Sequence, residues 1–278
     1  MTDVAVIILT KDEKLHIGRC LERVAALSPR QIFVVDCFST DDTKSIVDSF
    51  ISPPPHSSTP AVSFIEHEWM GNQALQFNWA LDNLPIETKW ILRIDADEWL
   101  TPELIAEIQD KLLLLDADVD GVVLKRRHYF GGRWVKHGTY PTRILRLFRT
   151  GCARYADNMV MDEHLVVKGK TVEFDDDFVD ESLIPFQDWK AKHRGYAKRE
   201  AQQAMESLKS GVWTDPRKAK YYKLPRYFRA VAYFCVRYFL KLGFLDGLAG
   251  FRWHFWQGLW YRWIVDREIG RMRKRMVV

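Results

Sequence analysis

A chain of 278 residues with 47% hydrophobic and 13% aromatic residues can bury a sizeable core, which excludes a disordered chain and suits one large α/β domain or one with an appendage. Cys20, Cys37, Cys152 and Cys235 stand far apart with no histidine in metal-finger register, so reduced and mostly buried thiols are expected. The net charge of +4 conceals a division: residues 217–278 carry 15 basic against 3 acidic side chains and the preceding residues 26 against 34, so an acidic body carries a tail suited to an anionic partner, a membrane surface or nucleic acid.

Residues 4–9 read as a buried strand. The run is too short for the apolar core of a secretory leader and ends in Lys11-Asp12-Glu13, so no leader is expected there. Residues 15–27 follow as a helix, 32–36 as a second strand and 41–50 as a helix, with Ser39 or Thr40 able to cap its start. Prolines and small polar residues make 52–60 a loop. Residues 62–66 form a third strand, 73–84 a helix and 90–94 a fourth strand. Thr101-Pro102 opens the next helix, a capping hydroxyl followed by proline in the first turn, and 102–115 lead to a strand at 121–127. Strands alternating with helices predict an α/β fold, a mostly parallel sheet with helices on both faces. Beyond Arg127 the regularity weakens: 143–148 and 166–174 read as strands and 189–208 as a helix.

Arg93-Ile94-Asp95-Ala96-Asp97-Glu98 follows the apolar stretch Trp90-Ile91-Leu92. Two carboxylates one residue apart, just past the carboxyl end of a parallel strand, stand where such sheets bind ligands. Magnesium-type ions are held by one or two carboxylates plus substrate phosphates, so Asp95 and Asp97 point to a metal-bound diphosphate. Asp36 ends another strand on the same side, where its carboxylate can accept hydrogen bonds from a nucleobase or ribose. Equally, Asp36 can start a turn, with Asp41 serving the dipole of the following helix. Thr10-Lys11-Asp12-Glu13 has the same two readings. Neither a Gly-x-Gly-x-x-Gly run nor a Walker loop is present, which counts against dinucleotide and P-loop chemistry. Lys125-Arg126-Arg127, Arg133, Lys136 and Arg143-Ile144-Leu145-Arg146 form a basic stretch. One or two of its arginines are expected to steady a diphosphate and the others to face water.

Taken in order, Ile7-Ile8-Leu9-Thr10-Lys11-Asp12-Glu13, Val34-Val35-Asp36 with Ser39-Thr40-Asp41, and Asp95-Ala96-Asp97 resemble the family-two inverting glycosyltransferases over residues 1–210. The resemblance implies a GT-A fold, a Rossmann-like sheet that binds a nucleotide-diphospho-sugar, with residues 1–210 as the catalytic domain. Carried over by motif, Thr10, Glu13 and Asp36, with Asp41 beside them, would contact the nucleoside, Asp95 the nucleotide-sugar and Asp97 an Mn2+ or Mg2+ ion. Gly71-Asn72-Gln73 lies where relatives shape the donor pocket, so Gln73 joins the donor set or is only a surface residue.

The later part is similar to a bacterial branch that builds exopolysaccharide or lipopolysaccharide-type glycans. There an acidic-histidine element follows the metal motif, and Met161-Asp162-Glu163-His164-Leu165 holds that place. An inverting transfer needs a carboxylate to take the acceptor's proton. Glu163 is the first choice and Asp162 the second, and the reversal of the usual Glu-Asp order leaves the assignment between them open; without the resemblance both read equally as loop charges. Asp180-Glu181-Ser182, then Trp189, Lys192-His193, Tyr196-Ala197 and Glu200-Ala201 are similar to the branch's closing segment. That makes Asp180 a candidate metal ligand, against a competing reading of Asp175-Asp176-Asp177 and Asp180 as one solvated acidic loop.

Residues 211–278 form the second expected region, a basic, aromatic helical tail. It holds 16 of the 37 aromatic residues between Tyr221 and Trp263, yet offers no run of about 20 apolar residues able to span a bilayer. At helical spacing Arg226, Arg229, Arg237 and Lys241 share an arc of about 120° opposite Phe228, Ala232 and Phe239. Such a helix either packs on the catalytic body or lies in a membrane interface; Trp253, Trp256, Trp260 and Trp263, with Arg252 and Arg262, favour the membrane. Relatives with an element similar to Gly243-Phe244-Leu245-Asp246-Gly247 act on lipid-linked acceptors.

The expected protein is a peripheral or monotopic enzyme on the cytoplasmic face of the inner membrane. It would move a sugar from a nucleotide-sugar, expected to be UDP-linked, to a saccharide hydroxyl on a lipid-linked acceptor; nucleic acid is not an expected partner. Two rivals stand beside it. A sugar-1-phosphate nucleotidyltransferase would carry a glycine-rich, lysine-containing loop after the first strand, which Thr10-Lys11-Asp12-Glu13 does not supply. A non-catalytic membrane-associated scaffold with a degenerate site would bind no nucleotide with manganese.

Overall fold

The structure, a computed structural model, describes residues 1–51, 60–156, 165–213 and 215–275. The two candidate bases, Asp162 and Glu163, lie outside the described residues. The chain divides into two compact units, Met1–Tyr129 with Pro141–Leu183, and Phe130–Tyr140 with Ile184–Val278.

The first unit is built on one sheet. Strands β1 (Thr2–Thr10), β2 (Pro29–Asp36), β3 (Ala61–Glu66) and β4 (Trp90–Asp95) run parallel in the spatial order β3-β2-β1-β4. Helices α1 (Ile17–Ala26), α2 (Thr43–Ile51) and α3 (Gln73–Asn83) connect them. Val4, Val6 and Ile8 of β1 belong to one hydrophobic cluster and Ala5 and Ile7 to another, all fully buried. A parallel strand covered on both faces needs this continuous apolar run rather than alternation. α1 and α4 (Pro102–Lys111) close one cluster through Leu21, Val24, Leu104 and Ile108, and α3 closes the other through Ala74, Phe77 and Ala80. The start of α4 follows from its residues: Thr101 Oγ1 accepts from Leu104 N at 3.2 Å and Pro102 fills the first turn.

Past β4 the sheet becomes mixed. After β5 (Glu98–Leu100) come β6 (Val119–Phe130), β7 (Arg133–Val135) in the second unit, β8 (Thr142–Arg149), the small ladder of β9 (Ala153–Arg154) with β10 (Val166–Val167), and β11 (Lys170–Glu181). The order β4-β8-β6-β11-β5 is parallel only between β6 and β11. The strand expected at 166–174 is therefore corrected to two. Gly169, which has no room for a Cβ against the Asp120 side chain, separates them. The solvated acidic loop is also corrected, because β11 runs on to Glu181 and carries Asp180 within it. Asp177 is buried against Arg127 at 2.5 Å, and the N–H groups of Asp175 and Asp176 each donate to Glu107 at 2.8 Å. A carboxylate from α4 thus takes the amides that the irregular stretch of β11 leaves out of its ladder.

The second unit is helical. Its helices are α5 (Phe186–Ser210), α6 (Pro216–Lys223), α7 (Phe228–Cys235), α8 (Gly247–Trp253) and α9 (Tyr261–Arg275). α5 and α9 pack through Ala197, Ala201 and Ala204 on one side and Tyr261, Ile264, Val265 and Ile269 on the other. Glu200 lies in this core and accepts from Tyr222 at 2.9 Å, Tyr261 at 2.7 Å and Arg262 at 2.5 Å, so its charge is compensated. The amphipathic helix expected through residues 226–241 is corrected: Arg229 and Arg237 are buried, whereas Phe228 and Phe239 are 61% and 54% exposed. Asp266 on α9 supplies an internal counter-charge for Arg229. A π-helical turn over Val236–Leu240 then breaks the 100° register on which the expected faces depend.

Candidate functional site

From β1 the chain winds one way to β2 and β3, while β4 lies on the other flank of β1. The crevice beyond the carboxyl ends of β1 and β4 is therefore a topological switch point, the usual ligand position of an open α/β sheet. Leu9 is in register with Asp95 and Thr10 with Asp36, so three neighbouring strand ends deliver Thr10, Asp36 and Asp95 to one edge.

Asp36, 1% exposed, organises the loops beyond β1 and β2. Its Oδ1 accepts from Thr10 Oγ1 at 2.7 Å and Ser39 Oγ at 2.6 Å, and its Oδ2 accepts from Ser39 N at 2.6 Å. Ser39 Oγ accepts in turn from Asp12 N at 2.7 Å, and Asp12 Oδ1 accepts from Thr40 N at 2.7 Å. These crossed bonds hold Asp12 and Phe38 in left-handed conformations, φ 54° and 57°. Asp41, rather than Ser39 or Thr40, satisfies the start of α2, accepting from Thr43 N at 3.0 Å and Thr43 Oγ1 at 2.5 Å. Burial opposes its ionisation, but these bonds and that from Lys14 N hold its carboxyl below the ordinary value. Glu13 accepts from His16 Nδ1 at 2.6 Å, while His16 Nε2 accepts from Leu183 N at 2.8 Å, which fixes the ring proton on Nδ1.

At the end of β4, Asp95 accepts from Arg93 at 3.2 Å and from Arg146 at 3.0 Å, one arginine on each oxygen. Arg93 is 1% exposed, with its guanidinium 5.5 Å and 5.1 Å from the rings of Phe77 and Tyr155. It also donates to Gln73 Oε1 at 3.4 Å, which ties the first residue of α3 to the cluster. Arg146 enters by a bulge. The β6–β8 register jumps from Val123↔Leu145 to Val122↔Leu147, leaving Arg146 as the extra residue. The same arginine donates to Glu98 at 2.5 Å, and Glu98 accepts from Asp95 N at 3.1 Å. Glu98, Asp180 and His128 stand in register across β5, β11 and β6. Asp180 lies 3.2 Å from His128 and 3.4 Å from Arg126.

Burial disfavours every charge in this cluster, and neighbouring cations decide which carboxylates ionise. Against burial, Arg93 and Arg146 hold Asp95 well below the ordinary carboxylate range. Asp180 is held down at about 2 by its hydrogen bond with His128 and by Arg126, again against burial. Glu98 goes the other way: burial, with the Asp95 and Asp180 charges, pushes it up to about 8 despite Arg146. Cys20 Sγ lies 3.7 Å from the Asp95 carbonyl, and burial beside these carboxylates pushes it well above the ordinary thiol value, so it is no nucleophile.

Asp97 occupies the turn between β4 and β5, half-buried, with its carbonyl accepting from Glu181 N at 3.0 Å. Among the described residues no three His, Cys, Asp or Glu side chains are grouped to hold a metal ion. A hard cation needs only one or two protein carboxylates when a diphosphate completes its shell, and Asp97 beside Asp95 fits that demand.

Two arginines of the basic stretch, Arg126 and Arg146, join this cluster; Arg127 turns to Asp177, and Arg143 to Glu173 at 2.7 Å on the surface. From the sequence alone, Arg93, Glu98 and His128 receive no role. Arg93 carried a readable signal, a cation inside an apolar strand that must find a partner when buried. Glu98 and His128 carried none, because β11 brings them into one row with Asp180 from far along the chain.

Residues 5–169 match the model of the family described as glycosyl transferase family 2. The lipopolysaccharide core biosynthesis glycosyltransferase LpsC of Rhizobium meliloti (strain 1021) is 28% identical over 252 residues, which cover 88% of this chain and 83% of LpsC. The mannosyltransferase PcManGT from Pyrobaculum calidifontis, solved in complex with GDP-Man and Mn2+, shares the fold: TM-score 0.54 at 17% identity, over 96% of this chain and 86% of that one. S. aureus TarS 1-349 aligns over 97% of this chain and 92% of its own at 15% identity, TM-score 0.49.

Proposed function

The chain belongs to glycosyl transferase family 2 and is a glycosyltransferase, and on that premise we propose an inverting, metal-dependent transfer from a UDP-linked sugar to a saccharide hydroxyl. The acceptor in this reading is a lipid-linked, lipopolysaccharide-type glycan, in keeping with the name of LpsC. The observation that carries it is Asp95, fixed between Arg93 and Arg146 at the switch point, with Asp97 in the next turn. PcManGT, which shares the fold, binds a nucleotide-sugar together with Mn2+.

Thr10, Asp36 and the crossed loops around Ser39 shape the nucleoside end of the crevice. Asp95, ionised and immobilised, presents a fixed acceptor to the donor's hydroxyls. Arg126 and Arg146 set positive charge beside the departing diphosphate, on which negative charge grows as its bond to the anomeric carbon breaks. An Mn2+ or Mg2+ ion held by Asp97, with Asp95 and Asp180 as neighbouring carboxylates, would neutralise further charge on that diphosphate. Glu163, or Asp162 in its place, takes the proton from the acceptor hydroxyl as its oxygen attacks the anomeric carbon opposite the leaving nucleotide. That attack inverts the anomeric configuration.

A panel of UDP- and GDP-sugars with a lipid-linked glycan acceptor and Mn2+ tests the proposal. Turnover of a UDP-sugar with inverted product configuration by NMR is expected. Retention of configuration, or no turnover of any donor, would contradict it.

A further inference from the structure

We infer that the helical unit is built to lie on an anionic lipid bilayer, with the surface of residues 228–251 seated in its interface. Between residues 228 and 251 there are four charged side chains, and three are turned inward. Arg229 is buried against Asp266, Arg237 is buried with its guanidinium 5.2 Å from the Tyr233 ring, and Asp246 is taken by His137, whose N and Nδ1 both lie 2.7 Å away. Only Lys241 of the four is exposed. Over the same stretch the large apolar side chains face out: Leu240 is 77% exposed and Leu248 64%, with Phe239, Leu245 and Phe251 also open.

A helical surface facing water hides apolar groups and displays charge. This one is inverted, as in protein that faces lipid, where ionisable side chains turn to the interior and pair. Among the described residues no helix is long and apolar enough to cross a membrane, so the surface rests in the interface without spanning it.

The partner's charge follows from what adjoins this surface. Arg226, Arg267, Arg271, Arg273 and Lys274 line an open depression of about 770 Å³. Gly270 leaves space there that a Cβ would deny, since it would lie 2.6 Å from the Arg226 guanidinium. The next residue, Tyr227, lies against Trp263 at 4.6 Å, and Phe228 then begins the apolar surface. Lipid phosphates supply the complementary charge, with basic residues next to a membrane each adding to the attraction. A second copy of this chain would bring the same cations against themselves.

Full-length protein is sedimented with vesicles of phosphatidylethanolamine and phosphatidylglycerol, and with vesicles of phosphatidylcholine. The wild type should pellet with the anionic vesicles and much less with the neutral ones. Leu240→Asp with Leu245→Asp should weaken partition by at least about tenfold, because two exposed apolar anchors are lost. Arg271→Glu with Lys274→Glu should weaken it by about fivefold per charge and reduce its salt sensitivity. Should the aspartate variant misfold, hydrogen exchange of the wild type decides alone: vesicles should protect residues 236–248. Equal pelleting of all variants, wild type that ignores anionic vesicles, or a lipid-free dimer that the aspartate variant dissociates would each overturn the inference.

Discussion

Arg146 holds Asp95 from across the sheet, 3.0 Å from guanidinium to carboxylate, although 51 residues separate them in sequence. The bulge on β8 makes this possible, and the same nitrogen stands 2.5 Å from Glu98. One guanidinium nitrogen therefore serves two acids, the half-buried Asp95 and the buried Glu98. Arg146→Met should destabilise the first unit by about 3 kcal/mol, since it removes the Arg146 donor from buried Glu98 and leaves Asp95 with the Arg93 guanidinium on one oxygen only. Arg146→Lys should recover only part, because a point charge cannot reproduce the guanidinium's spread of donors. Urea unfolding of the three proteins checks both statements.

The pH dependence of stability follows from Glu98 and Asp180. Glu98 keeps its proton in the folded state up to about 8, whereas the unfolded side chain releases it near its ordinary value. The folded state thus binds the extra proton, and the contribution of Glu98, complete at low pH, is lost as pH rises through about 8. Asp180 acts oppositely. Its folded value of about 2 gives stability present above the ordinary carboxylate value and lost as pH falls toward 2. Melting temperatures of Glu98→Gln should lose the decline across pH 5 to 8, and Asp180→Asn should soften the acid limb below pH 4. Unchanged profiles in both would contradict the assignments.

Asp36→Asn keeps one acceptor oxygen where the carboxylate has two, and three donors from Thr10 and Ser39 converge on it. The loop bond from Ser39 N or those from the two hydroxyls must weaken, at about 1 kcal/mol for a lost hydrogen bond. Donor KM should rise by about tenfold with kcat changed less, as steady-state kinetics over a donor series would show.

The first two strands were legible because parallel strands buried on both faces must be written as unbroken apolar runs, as residues 4–8 and 32–35 are. Thr101-Pro102 was legible for a local reason, a cap and a first-turn proline. Beyond β4 the mixed sheet depends on long-range pairing. Nothing near Asp180 reveals that it will stand between Glu98 and His128, and the acidic run before it resembles a loop until Glu107 takes its amides. The tail misled through periodicity. Arg229 and Arg237 mark a cationic face only if the helix stays regular and its partner stays apolar, and neither condition holds.

Glu163→Gln should lower kcat by about 1000-fold, within the range of a lost general base, while donor KM stays within about twofold. Asp162→Asn should cost far less. Equal losses in the two variants would mean that the pair acts together, and a larger loss in Asp162→Asn would reverse the roles.

Binding of UDP measured by calorimetry, with and without Mn2+, in the wild type and in Asp97→Ala, bears most directly on the site at the end of β4. The wild type should bind UDP at least about tenfold more tightly with Mn2+, and Asp97→Ala, still folded, should lose that enhancement. Equal affinity in the wild type with and without the ion, or an enhancement that survives in Asp97→Ala, would contradict the account.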